Sequence, residues 1–108
     1  MLPQRLRLRR NADFVSIVRS GRKVALPTMV LYARAAAEPH FGLIVGRNIG
    51  GAVERNQVKR RLRHGAADVM GLTRPMDVVV RALPRARSAK NLAADLASAY
   101  RRAEEVVS

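Results

Sequence analysis

The chain has 108 residues, 48% of them hydrophobic, which suits one folded domain with one modest core. It carries 21 lysines and arginines against eight acidic residues, a formal net charge of +13, and it contains no cysteine. A disulfide framework and a thiolate metal site are therefore excluded, and a cytoplasmic location is expected. No apolar run approaches the roughly 20 residues that span a bilayer.

The positive charge is concentrated in the first part of the chain. Residues 1–63 hold 14 lysines and arginines against three acidic residues, whereas residues 64–108 hold seven against five. This asymmetry favours a nucleic-acid partner. An anionic membrane surface fits less well, because the basic segment lacks tryptophan and a broad apolar face.

The chain begins with a basic arm, residues 1–10, and a short helix. The arm is either a frayed terminus or a segment that becomes ordered on a polyanion; its cations are Arg5, Arg7, Arg9 and Arg10. Asn11 has the character of a helix N-cap, and Gly21 that of a C-terminal stop. Between them Phe14, Ile17 and Val18 share one helical face, which predicts a helix of about two turns.

Strands are predicted at 22–25, 29–36 and 41–45, with a turn at 38–40. Alternation in the second strand places Val30 and Tyr32 on one face and Leu31 and Ala33 on the other. The Tyr32 ring either packs in the core or lines a nucleic-acid surface. Phe14 has the same two interpretations, a core side chain or a ring on which a base stacks.

The second half of the chain predicts a long helix, a strand and a final helix. The paired glycines at 50 and 51 indicate a turn, followed by a helix over 52–70 and a loop over 71–75. The near-continuous apolar run 77–83 suggests an inner strand, 84–88 a basic loop, and 91–107 a helix that packs on the sheet. The result is a single α+β domain of order αβββαβα.

The helix over 52–70 carries an apolar stripe beside a basic one. At about 100° per residue, Val58 and Leu62 point to a core, while an adjacent stripe holds Asn56, Lys59, Arg60 and Arg63. Like charges at i,i+4 repel, so a helix that accepts them with few acidic neighbours is expected to meet an external anion. The alternative is an ordinary solvated face. Its candidate phosphate donors are Arg55, Asn56, Lys59, Arg60, Arg61 and Arg63.

Catalytic patterns are absent from the sequence. The two histidines, His40 in the predicted turn and His64 on the basic helix, read as surface residues outside any obvious constellation. The carboxylates are scattered, whereas a two-metal nuclease needs them clustered. The residues therefore indicate a small RNA- or DNA-binding protein with no visible catalytic machinery or metal site of its own.

The segment 42–63, GLIVGRNIGGAVERNQVKRRLR, resembles the signature of the bacterial ribonuclease P protein subunit. Weaker similarities lie at Asp13 and Phe14 before Gly21, at 30–32 and at 77–80. The resemblance implies a four-stranded sheet with helices packed on it and a left-handed crossover around the motif helix, against the usual right-handed rule. It also implies a protein cofactor of a ribozyme that uses Mg²⁺ to remove the 5′ leader of precursor tRNA.

By position, the resemblance implies ribozyme contacts at Arg47, Arg55, Asn56, Lys59, Arg60 and Arg63, with Arg61 beside them. It implies a leader cleft at Phe14, Val18, Val30 and Tyr32. Gln57 stands where the family usually has an arginine, and Val18 where many members carry an aromatic residue. The expected partners are the catalytic RNA and precursor tRNA, with neither a membrane nor a small-molecule substrate.

Two other classes of function compete with this interpretation. A general RNA-binding protein of the ribosomal kind shares the charge and fold class but has no effect on precursor tRNA. A protein-only nuclease needs an acid–base pair or a carboxylate cluster, which the sequence does not show.

Overall fold

The computed structural model describes residues 2–8 and 10–107 and has the predicted order αβββαβα. Its helices and strands are α1 (Asn11–Ser20), β1 (Arg22–Ala25), β2 (Met29–Ala35), β3 (His40–Ile44), α2 (Ala52–Met70), β4 (Met76–Ala82) and α3 (Leu92–Val106). Short 3₁₀ turns lie at Gln4–Leu6, Arg47–Ile49 and Pro84–Ser88. The predicted bounds of α2 are confirmed, and those of the other elements are matched to within one residue.

The four strands form one mixed sheet in the order β1-β2-β4-β3. β1 and β2 are antiparallel, β2 and β4 are antiparallel, and β3 and β4 are parallel. The apolar strand β4 therefore lies inside the sheet, as its sequence predicted. Helix α2 connects the two parallel neighbours β3 and β4. The left-handed sense of this crossover stays a prediction from the family resemblance.

One face of the sheet, the inner face, carries the main core. Leu31, Val78 and Val80 on this face are fully buried, and Phe41 on β3 stacks against Tyr100 of α3 with 6.5 Å between ring centroids. Both apolar stripes that the sequence predicted on the long helices are buried: Val58, Leu62, Ala66 and Val69 on α2, and Leu92, Leu96, Tyr100, Ala103 and Val107 along α3 and its end. Burial of these stripes contributes hydrophobic stabilisation and fixes the outward direction of the opposite helix faces.

The opposite face, the outer face, is only partly covered. Helix α1 packs here, and the fully buried Ile17 and Val79 lie outside the main core cluster. Val30 and Tyr32 on the same face are half-buried. Alternation along β2 thus places Val30 and Tyr32 on one face and Leu31 and Ala33 on the other, as predicted. Part of the outer face remains accessible beside the short helix α1.

Three local predictions are wrong. Helix α1 begins at Asn11 with Arg10 at the N-cap and has no side-chain cap, so Asn11 is not the cap. His40 belongs to β3 rather than to a turn. The described part of the arm is not frayed, because Leu2 is buried in the core and Arg7 forms a parallel bridge with Phe41, whereas contact of the arm cations with RNA stays a prediction. Arg9 lies outside the described residues.

Within the described part of the chain, no helix is both long enough and apolar enough to cross a bilayer.

Candidate nucleic-acid interface

The solvent-facing side of α2 gathers four of the predicted RNA contacts. Asn56, Lys59, Arg60 and Arg63 line a shallow cavity of about 180 Å³ together with Arg7 and His64. The spacing of these residues places them on one face because the apolar stripe of α2 is fixed against the core. We call this set the α2 surface. His64, read from sequence as an unremarkable surface residue, is exposed and lies at its edge.

The start of α2 is fixed by the two glycines before it. Gly50 adopts φ +146°, a conformation that favours glycine, and the Gly51 N–H donates to Glu54 Oε1 at 3.0 Å. These backbone bonds, with help from Arg87 at 3.9 Å, hold the pKa of Glu54 below its usual value. Glu54, the acidic residue in the first turn of α2, is therefore already hydrogen-bonded to the backbone, and it lies at a helix N-terminus, which favours negative charge.

Arg7 forms the second wall of the α2 surface. Its backbone is tied to β3, since the Leu8 N–H donates to the Phe41 carbonyl at 2.9 Å, and its Nε is buried without a hydrogen-bond partner. Burial and the nearby Arg7 charge together lower the pKa of Arg63. Arg7 and Arg63 thus place like charges on the walls of one cavity, which is unfavourable in an isolated protein, and an anion bound between them offsets this repulsion.

The remaining predicted ribozyme contacts do not share this cavity. Arg47 is exposed on the 3₁₀ turn before α2, and Arg55 is half-buried on the first turns of α2. Arg61 is directed to the other side of the helix, where its guanidinium donates to the carbonyl oxygens of Ala86 and Ala89. This bonding gives Arg61 a structural role that the sequence did not reveal.

The four predicted cleft residues lie on the outer face. Phe14 and Val18 are half-buried on α1, and Val30 and Tyr32 are half-buried on β2. The Phe14 ring lies directly over the Gly42 backbone, where an added Cβ would come within 2.6 Å of its Cζ. Because residue 42 is glycine, the Phe14 ring can pack directly against the backbone of the sheet. The arrangement leaves partly exposed apolar surface on which bases can stack.

Two cations flank this apolar strip, and sequence reasoning missed both. Lys23 on β1 is opposite Tyr32, and Arg81 on β4 is opposite both Val30 and Ile44, so their side chains share the outer face. Both are exposed. Strand alternation predicts which face each residue is on, but the strand register is needed to place Lys23 opposite Tyr32 and Arg81 opposite Val30.

The arm and the end of the sheet enclose a cavity of about 570 Å³, lined by three of the predicted arm cations, Arg5, Arg7 and Arg10. Its other walls include Arg34, His40 and Asp77, which form a bonded group. Arg34 Nε lies 3.1 Å from Asp77 Oδ2, and His40 Nδ1 lies 2.9 Å from Asp77 Oδ1. His40 is therefore a paired, half-buried residue and not the surface histidine expected from sequence.

The α2 surface and the cleft adjoin. A further cavity of about 370 Å³ is lined by Phe14 and Gly42 on the cleft side and by Arg7, Lys59 and Arg63 on the α2 side. Within residues 2–8 and 10–107, no carboxylate lines it. Among the described residues, no group of three or more histidines and carboxylates is placed to hold a metal ion. The arrangement suits binding of an extended polyanion with exposed bases.

Comparison with known proteins gives a consistent result. Residues 2–104 match the family model described as Ribonuclease P. The chain is 47% identical over 94 residues to the ribonuclease P protein component of Acidothermus cellulolyticus, covering 82% of this chain and 78% of that relative. It is 45% identical over 116 aligned positions to the corresponding protein of Streptomyces bikiniensis, covering 94% of each.

Solved structures share the fold. The ribonuclease P protein of Staphylococcus aureus superposes with a TM-score of 0.77 at 24% identity, over 94% of each chain. That of Thermotoga maritima gives a TM-score of 0.73 at 21% identity, over 94% of this chain and 97% of the other. Sequence identity over most of the chain and a shared four-stranded α+β fold lead to one conclusion: this chain belongs to the ribonuclease P protein family.

Proposed function

We propose that this protein works as the RNA-binding subunit of a ribonuclease P holoenzyme in the cytoplasm. In this proposal the α2 surface binds the catalytic RNA, and the cleft on the outer face holds the single-stranded 5′ leader of precursor tRNA. The RNA subunit carries the chemistry and holds the Mg²⁺ that cleavage requires. The protein contributes no reacting group.

The observation that carries the proposal is the cavity that joins the two surfaces. Phe14 lies on one side of it and Lys59 and Arg63 on the other, and the part of the chain that the structure describes places no carboxylate in its lining. An aromatic ring beside a row of cations suits a single strand, whose bases stack while its phosphates are neutralised. A row of cations on a helix suits the backbone of a folded RNA.

Charge explains why a protein helps a ribozyme. The catalytic RNA and its substrate are both polyanions, and a protein of net charge +13 placed between them reduces their repulsion. If about six to eight phosphates are neutralised, the logarithm of RNA affinity falls with the logarithm of salt concentration with a slope of about −5 to −7. A slope near −1 contradicts binding through the α2 surface.

The test is cleavage of a precursor tRNA at a few millimolar Mg²⁺ by the catalytic RNA alone, the protein alone, and both. We expect cleavage at the mature 5′ end only, or much faster, with both components. A parallel titration with a substrate that has no leader separates the two surfaces. The protein should strengthen holoenzyme binding of the leader-bearing substrate and leave binding of the leaderless one nearly unchanged.

The competing function is general RNA binding without a role in cleavage, and the family membership does not favour it. It predicts equal affinity for ribozyme RNA and for an unrelated structured RNA of the same length, and no gain in cleavage rate. Cleavage by the protein alone would contradict both functions.

A further inference from the structure

A second groove runs along the other side of α2, between this helix and the start of α3. It encloses about 350 Å³ and is lined by Arg60, Arg61, His64, Lys90, Asn91, Leu92 and Ala93. Three of these residues are cationic at neutral pH and none is acidic. We call it the α3-side groove. The family resemblance assigned no contact to Lys90 or Asn91.

Arg60 and His64 line both this groove and the α2 surface. At about 100° per residue they lie between Lys59 and Arg63 on one side and Arg61 on the other. They therefore form a ridge with a basic depression on each side. Arg7 of the arm bounds one depression, and Lys90 before α3 bounds the other.

Arg61 builds the far wall of the α3-side groove. Its guanidinium reaches across to the Ala86 and Ala89 carbonyl oxygens, the second of which immediately precedes Lys90. This contact ties the turn Pro84–Ser88 to α2 and so fixes where Lys90 leaves it. Arg61 is therefore a positioning residue that acts through Lys90.

Polar groups in the groove are left available. Asn91 is the N-cap of α3, yet its side chain makes no capping bond, and both it and Lys90 are exposed. The carboxylate in the first turn of α3, Asp95, accepts a bond from Thr28 Oγ1 at 2.8 Å, and no ion pair among the described residues joins it to Lys90.

The acidic residues of α2 lie outside the lining of the groove. Asp68 lies one helical turn beyond His64 and is exposed, and Glu54 near the start of α2 accepts the Gly51 N–H. Neither lines the groove. The side chains that line the groove are therefore basic, polar or apolar.

We propose that the α3-side groove binds a second segment of the catalytic RNA backbone, with Lys90 on a phosphate and Asn91 on a phosphate or a sugar hydroxyl. The inference rests on the proposed function. The groove lies across the ridge from the cavity that joins the cleft, so it faces away from the leader path. The ribozyme RNA then contacts α2 on both sides of Arg60 and His64.

The test measures affinity of the full chain for catalytic RNA over a series of salt concentrations. Lys90→Gln removes one cation from the groove, and Arg101→Gln is the matched control, since Arg101 is an exposed cation on α3 that lines none of the cavities described above. We expect Lys90→Gln to weaken binding several-fold and to reduce the steepness of the salt dependence by about one. An affinity and slope equal to those of Arg101→Gln overturn the proposal.

A double-substitution cycle tests the role of Arg61. Arg61→Gln should weaken binding in the wild-type background and have little further effect when Lys90 is already glutamine. Fully additive losses mean that Arg61 contacts RNA directly and contradict positioning. Thermal unfolding of each variant shows which are folded. Should Arg61→Gln fail to fold, the Lys90→Gln comparison still decides whether the groove binds RNA.

Two controls separate this inference from the proposed function. A holoenzyme reconstituted with the Lys90→Gln protein should show the same change in affinity for the leader-bearing substrate as for the leaderless one. A loss confined to the leader-bearing substrate assigns the groove to the leader and overturns the proposal. If wild-type protein binds catalytic RNA but does not stimulate cleavage, the proposed function is refuted. If wild-type protein stimulates cleavage but Lys90→Gln does not weaken RNA binding, only the proposal for the α3-side groove is refuted.

Discussion

Two groups of basic residues in this protein differ in what they are paired with. At the end of the sheet, Arg34 and His40 share the carboxylate of Asp77, and Arg34 also donates to Ser16 Oγ at 2.7 Å. Around α2, Arg7 and Arg63 both line two further cavities, and among the described residues no carboxylate lines either of these two. The first group links α1 to the sheet. The charge of the second group is available to an external anion.

The difference separates stability from binding. A paired cation stabilises the fold, and removing its partner leaves a desolvated charge. An unpaired cation costs free energy in the isolated protein and contributes only when RNA arrives. Substitutions in the two groups should therefore act on different measurements, which gives a direct way to test the comparison.

The largest effect is expected from removing the unpaired cations. Lys59→Gln combined with Arg63→Gln should weaken binding of catalytic RNA by about tenfold to a hundredfold and reduce the salt slope by about two. The melting temperature should stay the same or rise, because the repulsion between Arg63 and Arg7 is relieved. Filter binding and thermal unfolding measure the two effects. A marked loss of stability would show that these side chains are structural.

Phe14→Ala should act on the leader alone. Loss of one stacking platform costs about 1–3 kcal/mol per base, so holoenzyme affinity for a leader-bearing substrate should fall several-fold or more. Affinity of the protein for catalytic RNA should not change, and neither should holoenzyme affinity for a leaderless substrate. Phe14→Leu is the matched control, because it retains apolar contact with the Gly42 backbone but has no aromatic face. Equal losses for both substrates would assign Phe14 to general packing.

Asp77→Asn tests the paired group. It removes the carboxylate shared by Arg34 and His40 and should lower the free energy of unfolding by about 1–2 kcal/mol, a moderate value because Arg34 is partly exposed. RNA affinity should hold or increase slightly, since the net charge becomes more positive. Chemical denaturation and RNA binding on the same sample give both values. Weaker RNA binding by a folded variant would contradict the division between the two groups.

Glu54→Gln is expected to have the smallest effect. The folded state lowers the pKa of Glu54, so the charged carboxylate contributes stability above its unfolded-state value near 4.5, and this contribution is lost as pH falls through the folded-state pKa. The variant should therefore melt slightly below wild type at pH 6–8, and the difference should disappear in acid. Melting curves at several pH values test it, and a difference that grows in acid would contradict the sign.

Local periodicity determined the parts of this structure that could be predicted. The bounds of α2, its apolar stripe and the neighbouring row of Asn56, Lys59, Arg60 and Arg63 follow from 3.6-residue spacing within one helix. Arg60 and Arg61 are adjacent in sequence, yet one faces solvent and the other bonds the turn before α3. Helical spacing separates the two directions, but it does not predict what Arg61 bonds to, because that depends on where a turn far along the chain is placed.

Contacts between distant segments explain the other failures. Lys23 and Arg81 join the cleft only through the register of β1, β2 and β4. Leu2 and Arg7 dock on the core and on β3, although the alternation of leucine and arginine in the arm resembles that of a mobile tail. His40 is paired because β3 and β4 set it opposite Asp77. Each case needs a pairing that single-sequence patterns do not encode.

The placement of α2 between two parallel neighbouring strands has a consequence for folding on the ribosome. Helix α2 is complete before β4 has been synthesised, so a nascent chain exposes its cations before β3 and β4 can pair. At that stage α2 offers only a positive helix, which any RNA attracts. The depressions beside it also need Arg7, which bridges to β3, and Lys90, which follows β4 in the chain and adjoins the Ala89 carbonyl that Arg61 binds. The complete basic surface around α2 therefore exists only after the chain has been synthesised beyond β4.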